Sequence, residues 1–127
     1  MGRAPGGAAT APGLKRLPDE RARLERAKAR LDRLDLYPRP VRIDRVRVFI
    51  APAFFRLPGY GRFHGFTLKR TILVRRPEAA DDLITHELVH AWQMQHVPVR
   101  TTIAWFRHAY RENPYEIEAR KAVADTR

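Results

Sequence analysis

Apolar residues recur along this chain in two rhythms, and each rhythm predicts an element. Leu17, Leu24 and Leu31 fall seven residues apart with Ala27 and Leu34 beside them, while the positions between are dense in Arg and Glu. Pro18-Asp19-Glu20 puts a proline and two acids where a first helical turn favours them. Together these predict an amphipathic helix to about Leu34, packed through its leucines and solvated on its charged faces. Tyr37-Pro38-Arg39-Pro40 follows as an extended linker. From Arg42 to Ile50 the pattern approaches period two, with Ile43, Val46, Val48 and Ile50 apolar, which predicts a strand with a basic face. Pro52 to Phe55 suits a helical turn. Phe66 to Val74 predicts a second strand, or two short ones broken near Lys69-Arg70, with β-branched Thr71 and Ile72 in its best part.

Helical periodicity then takes over. Between Leu83 and Gln95 there is no Gly or Pro, and Asp81 and Asp82 complement a helix N-terminus. Ile84, Leu88, Ala91 and Trp92 form one apolar stripe, with His86, His90 and Gln93 opposite. Val97-Pro98 ends this helix, because a proline pushes the residue before it out of the α region. Thr101 to Tyr110 predicts another helix with Ile103, Trp105 and Phe106 as apolar bulk. Asn113-Pro114 opens a last one to about Asp125, with Ile117, Ala119, Ala122 and Val123 for packing. Trp92, Trp105, Phe54 and Phe55 are expected in the core.

Composition narrows this picture. A chain of 127 residues, 44% hydrophobic, supports one core rather than two. Residues 1–16 are assigned to a disordered tail, 17–40 to the N-terminal helix and linker, and 41–127 to the main domain. No apolar run approaches a membrane span and no secretory signal is visible, so a soluble cytoplasmic protein without a membrane partner is expected. The absence of cysteine means that any metal must be held by His and carboxylate. Twenty-five Lys and Arg against fourteen acids give a net charge of +11, and all but Lys15, Lys28, Lys69 and Lys121 of these cations are arginine. Such a charge makes non-specific nucleic-acid binding a candidate property.

The chemistry concentrates at His86-Glu87-Leu88-Val89-His90, an H-E-x-x-H sequence. Positions i and i+4 stack on one helix face about 6 Å apart, so both imidazoles can reach one zinc ion through bonds of about 2.0–2.1 Å. Glu87 lies about 100° round the helix, where a general base for an activated water belongs. Catalytic zinc normally has three protein ligands. His96 completes H-E-x-x-H-x-x-Q-x-x-H, one letter from the metzincin pattern, which has glycine where Gln93 stands. On a continuing helix His96 points about 120° away from His90. The later segment Tyr115-Glu116-Ile117-Glu118-Ala119-Arg120 offers Glu116 and Glu118, two residues apart, of which only one can face the metal.

With its H-E-L-V-H-A-W-Q and later N-P-Y-E-I-E-A-R, the chain resembles the gluzincins, and more closely small bacterial zincin-like domains whose glutamate helix often reads E-x-x-A-D. Alignment on Ala119 selects Glu116 as third ligand, with Arg120 where that helix carries aspartate. The resemblance implies an α+β, minimal zincin-like fold: a short β-sheet, the H-E-x-x-H helix and C-terminal helices. It also implies zinc held by His86, His90 and Glu116, and hydrolysis of a peptide or protein substrate with Glu87 as base. A Tyr or His outside the motif would stabilise the transition state, with Tyr110, Tyr115, His108 and His64 all eligible, and the Phe66–Val74 strand would align the substrate. Two rivals stand beside this reading. One is a DNA-associated metalloprotease similar to SprT-like proteins, and the other a non-catalytic basic zinc-binding module.

Overall fold

A four-stranded sheet with four helices makes this an α+β protein, and the computed structural model describes residues 14–127 of it. The strands are β1 (Lys15–Arg16), β2 (Arg47–Ile50), β3 (Gly65–Leu68) and β4 (Thr71–Val74). The helices are α1 (Glu20–Leu31), α2 (Asp81–His96), α3 (Pro98–Arg107) and α4 (Pro114–Thr126). Sheet order is β1-β2-β4-β3, with β2 and β4 parallel and both outer pairs antiparallel. β3 therefore closes one end of the sheet, and its outer edge has no strand partner among the described residues.

The heptad leucines behave as their spacing requires. Leu17, Leu24, Ala27 and Leu31 are buried and join Ile84, Leu88, Ala91 and Trp92 of α2 in one hydrophobic core. Burial of each leucine is worth about 1.5–3 kcal/mol, so α1 is part of the domain rather than an appendage. Ion pairs from Arg26 to Asp81 and from Arg30 to Asp82 register α1 against the first turn of α2. The helix stops at Leu31, a turn short of Leu34.

Several expectations are corrected. Lys15 and Arg16, assigned to the tail, pair with Ile50 and Phe49 of β2; the rest of that assignment, residues 1–13, lies outside the described residues. The strand expected from Arg42 begins only at Arg47. Ile43 and Val46 are three apart rather than two, and a turn through Asp44-Arg45 brings the Val46 N–H to the Ile43 carbonyl. For Phe66–Val74 the second of the two alternatives is the one observed: Gly65–Leu68 and Thr71–Val74 are two strands joined at Lys69-Arg70, with Lys69 in the left-handed region (φ 57°). Pro98 ends α2 and also starts α3, since proline at a helix N-terminus forfeits no hydrogen bond. α3 therefore begins three residues earlier than Thr101 and turns its apolar bulk outward: Phe106 is 81% exposed and Trp105 40%. Ile117 of α4 is likewise exposed, whereas Ala119, Ala122 and Val123 are buried. Phe55 is in the core, but Phe54 is only half-buried. Among the described residues no helix is long and apolar enough to cross a membrane.

Candidate metal centre

Two helices converge to build the site. α2 anchors through its apolar stripe and presents His86 and His90 one turn apart, with ring centroids 5.0 Å from each other. α4 starts at Pro114, where the Asn113 side chain accepts from the Tyr115 N–H and caps the helix. That start carries Glu116 to the histidines: its Oε2 lies 2.9 Å from His86 Nε2 and its Oε1 2.9 Å from His90 Nε2. The three side chains are the His/carboxylate group able to hold a metal ion among the described residues.

Glu116 is 3% exposed. Burial alone would raise its pKa, but the two imidazoles outweigh that and hold it at about 2. Tyr110 donates its hydroxyl to Glu116 Oε2 at 3.0 Å, and Arg120 reaches the same oxygen at 3.3 Å. The arginine thus contacts the carboxylate directly. Burial, and the charges of Glu116 and Glu87, push the Tyr110 hydroxyl up, so it stays protonated and a donor.

His90 shows what the site requires. Gln93, 1% exposed, donates from Nε2 to the Tyr115 carbonyl (2.9 Å) and to Glu118 Oε1 (3.0 Å). A carbonyl can only accept, so the amide orientation is fixed and Gln93 Oε1 faces His90 Nδ1 at 2.8 Å. Nδ1 therefore carries the proton, and in the neutral ring Nε2 turns a lone pair toward Glu116 Oε1. Two acceptors 2.9 Å apart need a positive centre between them, either a proton or a metal ion. Consistent with this, burial alone would lower the His90 pKa, but Glu116, Glu87 and Gln93 raise it.

Two imidazoles and a carboxylate, with candidate ligand atoms all within 4.8 Å of one another, are a donor set that can hold a divalent metal ion. His96 does not join them. Its Nδ1 meets the Trp92 carbonyl and its ring stacks on Tyr37, with centroids 5.2 Å apart. Glu118 turns the other way from Glu116 and accepts from the Tyr37 hydroxyl at 2.6 Å.

Glu87, 4% exposed, flanks the pair. Its Oε1 accepts from the Thr67 hydroxyl at 2.7 Å, which ties it to β3. Its Oε2 has no donor among the described residues and faces Gly65, where a Cβ would come within 3.0 Å. Thr67 and Gly65 were invisible in the sequence as site residues, because strand periodicity says nothing about a neighbouring helix. Gln93 was placed on the metal face but without a role. Of the four residues eligible for transition-state contact, Tyr110 lies beside Glu116 and Glu87, His64 and Tyr115 line flanking clefts, and His108 lines neither.

Comparison with known protein families, curated proteins and solved structures found no match.

Proposed function

We propose that the chain is a zinc-dependent metallopeptidase of gluzincin type, binding zinc through His86 Nε2, His90 Nε2 and the Glu116 carboxylate. The observation that carries this reading is the convergence of His86 Nε2, His90 Nε2 and the buried Glu116 carboxylate, whose candidate ligand atoms all lie within 4.8 Å of one another. When bound, the ion polarises a substrate carbonyl and brings the pKa of a water to about 7.

The protein's own groups supply the rest. Glu87 Oε2 takes the proton of the attacking water and passes it to the leaving amine. Thr67 holds the other oxygen and so fixes the direction in which Glu87 points. Tyr110, kept protonated, would turn its one hydroxyl proton from Glu116 Oε2 to the carbonyl oxygen as negative charge develops there. The outer edge of β3 gives an extended substrate backbone groups to pair with.

Metal analysis and peptide cleavage across four variants test the proposal. Wild type and Glu87→Gln should retain stoichiometric zinc, and His86→Ala, His90→Ala and Glu116→Ala should lose it. Cleavage of casein or a peptide pool should vanish in Glu87→Gln. Zinc retained in Glu116→Ala, or cleavage undiminished in Glu87→Gln, would sink it.

A further inference from the structure

The groups around Glu87 and Glu116 border two clefts of opposite character. One, of about 420 Å³, is walled by Phe54, Tyr60, Phe66, Trp105 and Phe106 and takes in His90. Its rings touch in series: Phe54 to Phe66 at 5.3 Å, Tyr60 to Phe66 at 5.5 Å, and Phe66 to Trp105 at 5.5 Å. The other, of about 680 Å³, takes in His86 and is lined by Arg62, Arg111, Arg120 and Arg127. Phe63, Gly65, Glu87, Tyr110 and Glu116 belong to both, so the two are arms of one trough that meet at the reacting centre.

The charges of the second arm are only partly answered. Arg127 pairs with Asp82 and Arg120 with Glu116. Arg62 and Arg111 have no carboxylate within ion-pair distance among the described residues. The Arg62 guanidinium is held over the rings of Phe63 (5.0 Å) and Tyr110 (5.8 Å), at the edge of the trough. In the aromatic arm, Lys69 is the one Lys or Arg among the described residues that line it.

We propose that the trough selects a polypeptide with a large apolar side chain on one side of the reacting bond and an acidic side chain on the other. This rests on the peptidase reading and adds the substrate class. The aromatic arm removes apolar surface from water, and the unpaired Arg62 and Arg111 complement a carboxylate. The edge of β3, unpaired among the described residues, spans the junction, from Gly65 in both arms to Leu68 in the aromatic one.

Capped, fluorescent peptides test this by anisotropy on zinc-loaded Glu87→Gln protein. Each carries Phe and Glu about the central bond, in either order, with Phe→Ser and Glu→Lys counterparts. In one order, each replacement should weaken binding at least fivefold. Because the net charge of +11 attracts any acid, Arg62→Glu/Arg111→Glu is the decisive control. It should abolish the preference for Glu over Lys and keep that for Phe over Ser. Equal binding of Glu and Lys peptides, equal binding of Phe and Ser peptides, or an acid preference that survives the double variant overturns the proposal. Cleavage without such preference in wild type leaves the peptidase reading standing and removes this one. Selective binding without any cleavage by wild type removes the peptidase reading and, with it, the reacting bond, leaving the trough as a peptide-binding site of the same side-chain preference.

Discussion

Gln93 offers the sharpest test of how the site is held together. Replacing it by leucine keeps helix propensity and nearly the same bulk while removing its hydrogen bonds to His90 Nδ1, the Tyr115 carbonyl and Glu118. Glu118 keeps the Tyr37 hydroxyl, but the other two partners lose Gln93. At about 1 kcal/mol net for each bond, Gln93→Leu should lower unfolding stability by about 2–4 kcal/mol. The effect on metal is separate. Without an acceptor on Nδ1, the ring is free to rotate and to place its proton on Nε2, the atom proposed to bind the ion. Loss of such an orienting partner costs about 10–100-fold in affinity. Chelator competition on protein checked by circular dichroism reads this directly. Tyr37→Phe, which breaks only the outermost bond to Glu118, should cost about 1 kcal/mol of stability and less than threefold in zinc affinity. Folded Gln93→Leu protein that binds zinc within threefold of wild type would refute the orienting role, whatever its stability.

Other consequences follow from single positions. Gly65→Ala presses a methyl group on the Glu87 carboxylate, so kcat should fall about tenfold or more with zinc content unchanged; normal turnover counts against Glu87 as base. Leu24→Ala empties a fully buried site between α1 and α2 and should cost about 2–5 kcal/mol in urea titration, whereas a solvated helix would lose almost nothing. Glu20 responds to pH: burial would raise its pKa, but Arg16 and the Val48 N–H hold it below the usual glutamate value of about 4.3. A lowered native pKa gives stability that is present above the unfolded value and is lost as pH falls through the native one. The deficit of Glu20→Gln, about 1–3 kcal/mol at pH 7, should therefore shrink in denaturant melts below about pH 4, and a constant deficit would argue against it.

How far the sequence reached depended on whether a residue's role was local. The stripe Ile84, Leu88, Ala91 and Trp92 follows from helix periodicity, and so does the shared face of His86 and His90. Glu116 was set apart from Glu118 by likeness to a family; in the structure Glu116 lies beside both histidines and Glu118 turns to Tyr37. β1 escaped because two residues have no period, and their pairing is through backbone alone. Trp105 was expected inside by its size, yet α3 leaves Ala104 as its buried residue and aims the indole at the trough. The contacts of Thr67 and Gly65 with Glu87 cross from strand to helix over about twenty residues, and no local pattern encodes them.

The short strand at Lys15–Arg16 bears on which proteins this one can join. A sheet has two margins, and either can recruit a foreign chain. Here one margin is only two residues long and carries exposed cations, a poor template for uninvited pairing. On the proposed reading, peptides that add to the sheet are thereby directed to β3, where they arrive beside Glu87. Remove Lys15 and Arg16, and the hydrophobic margin of β2 becomes a second landing place with no chemistry next to it.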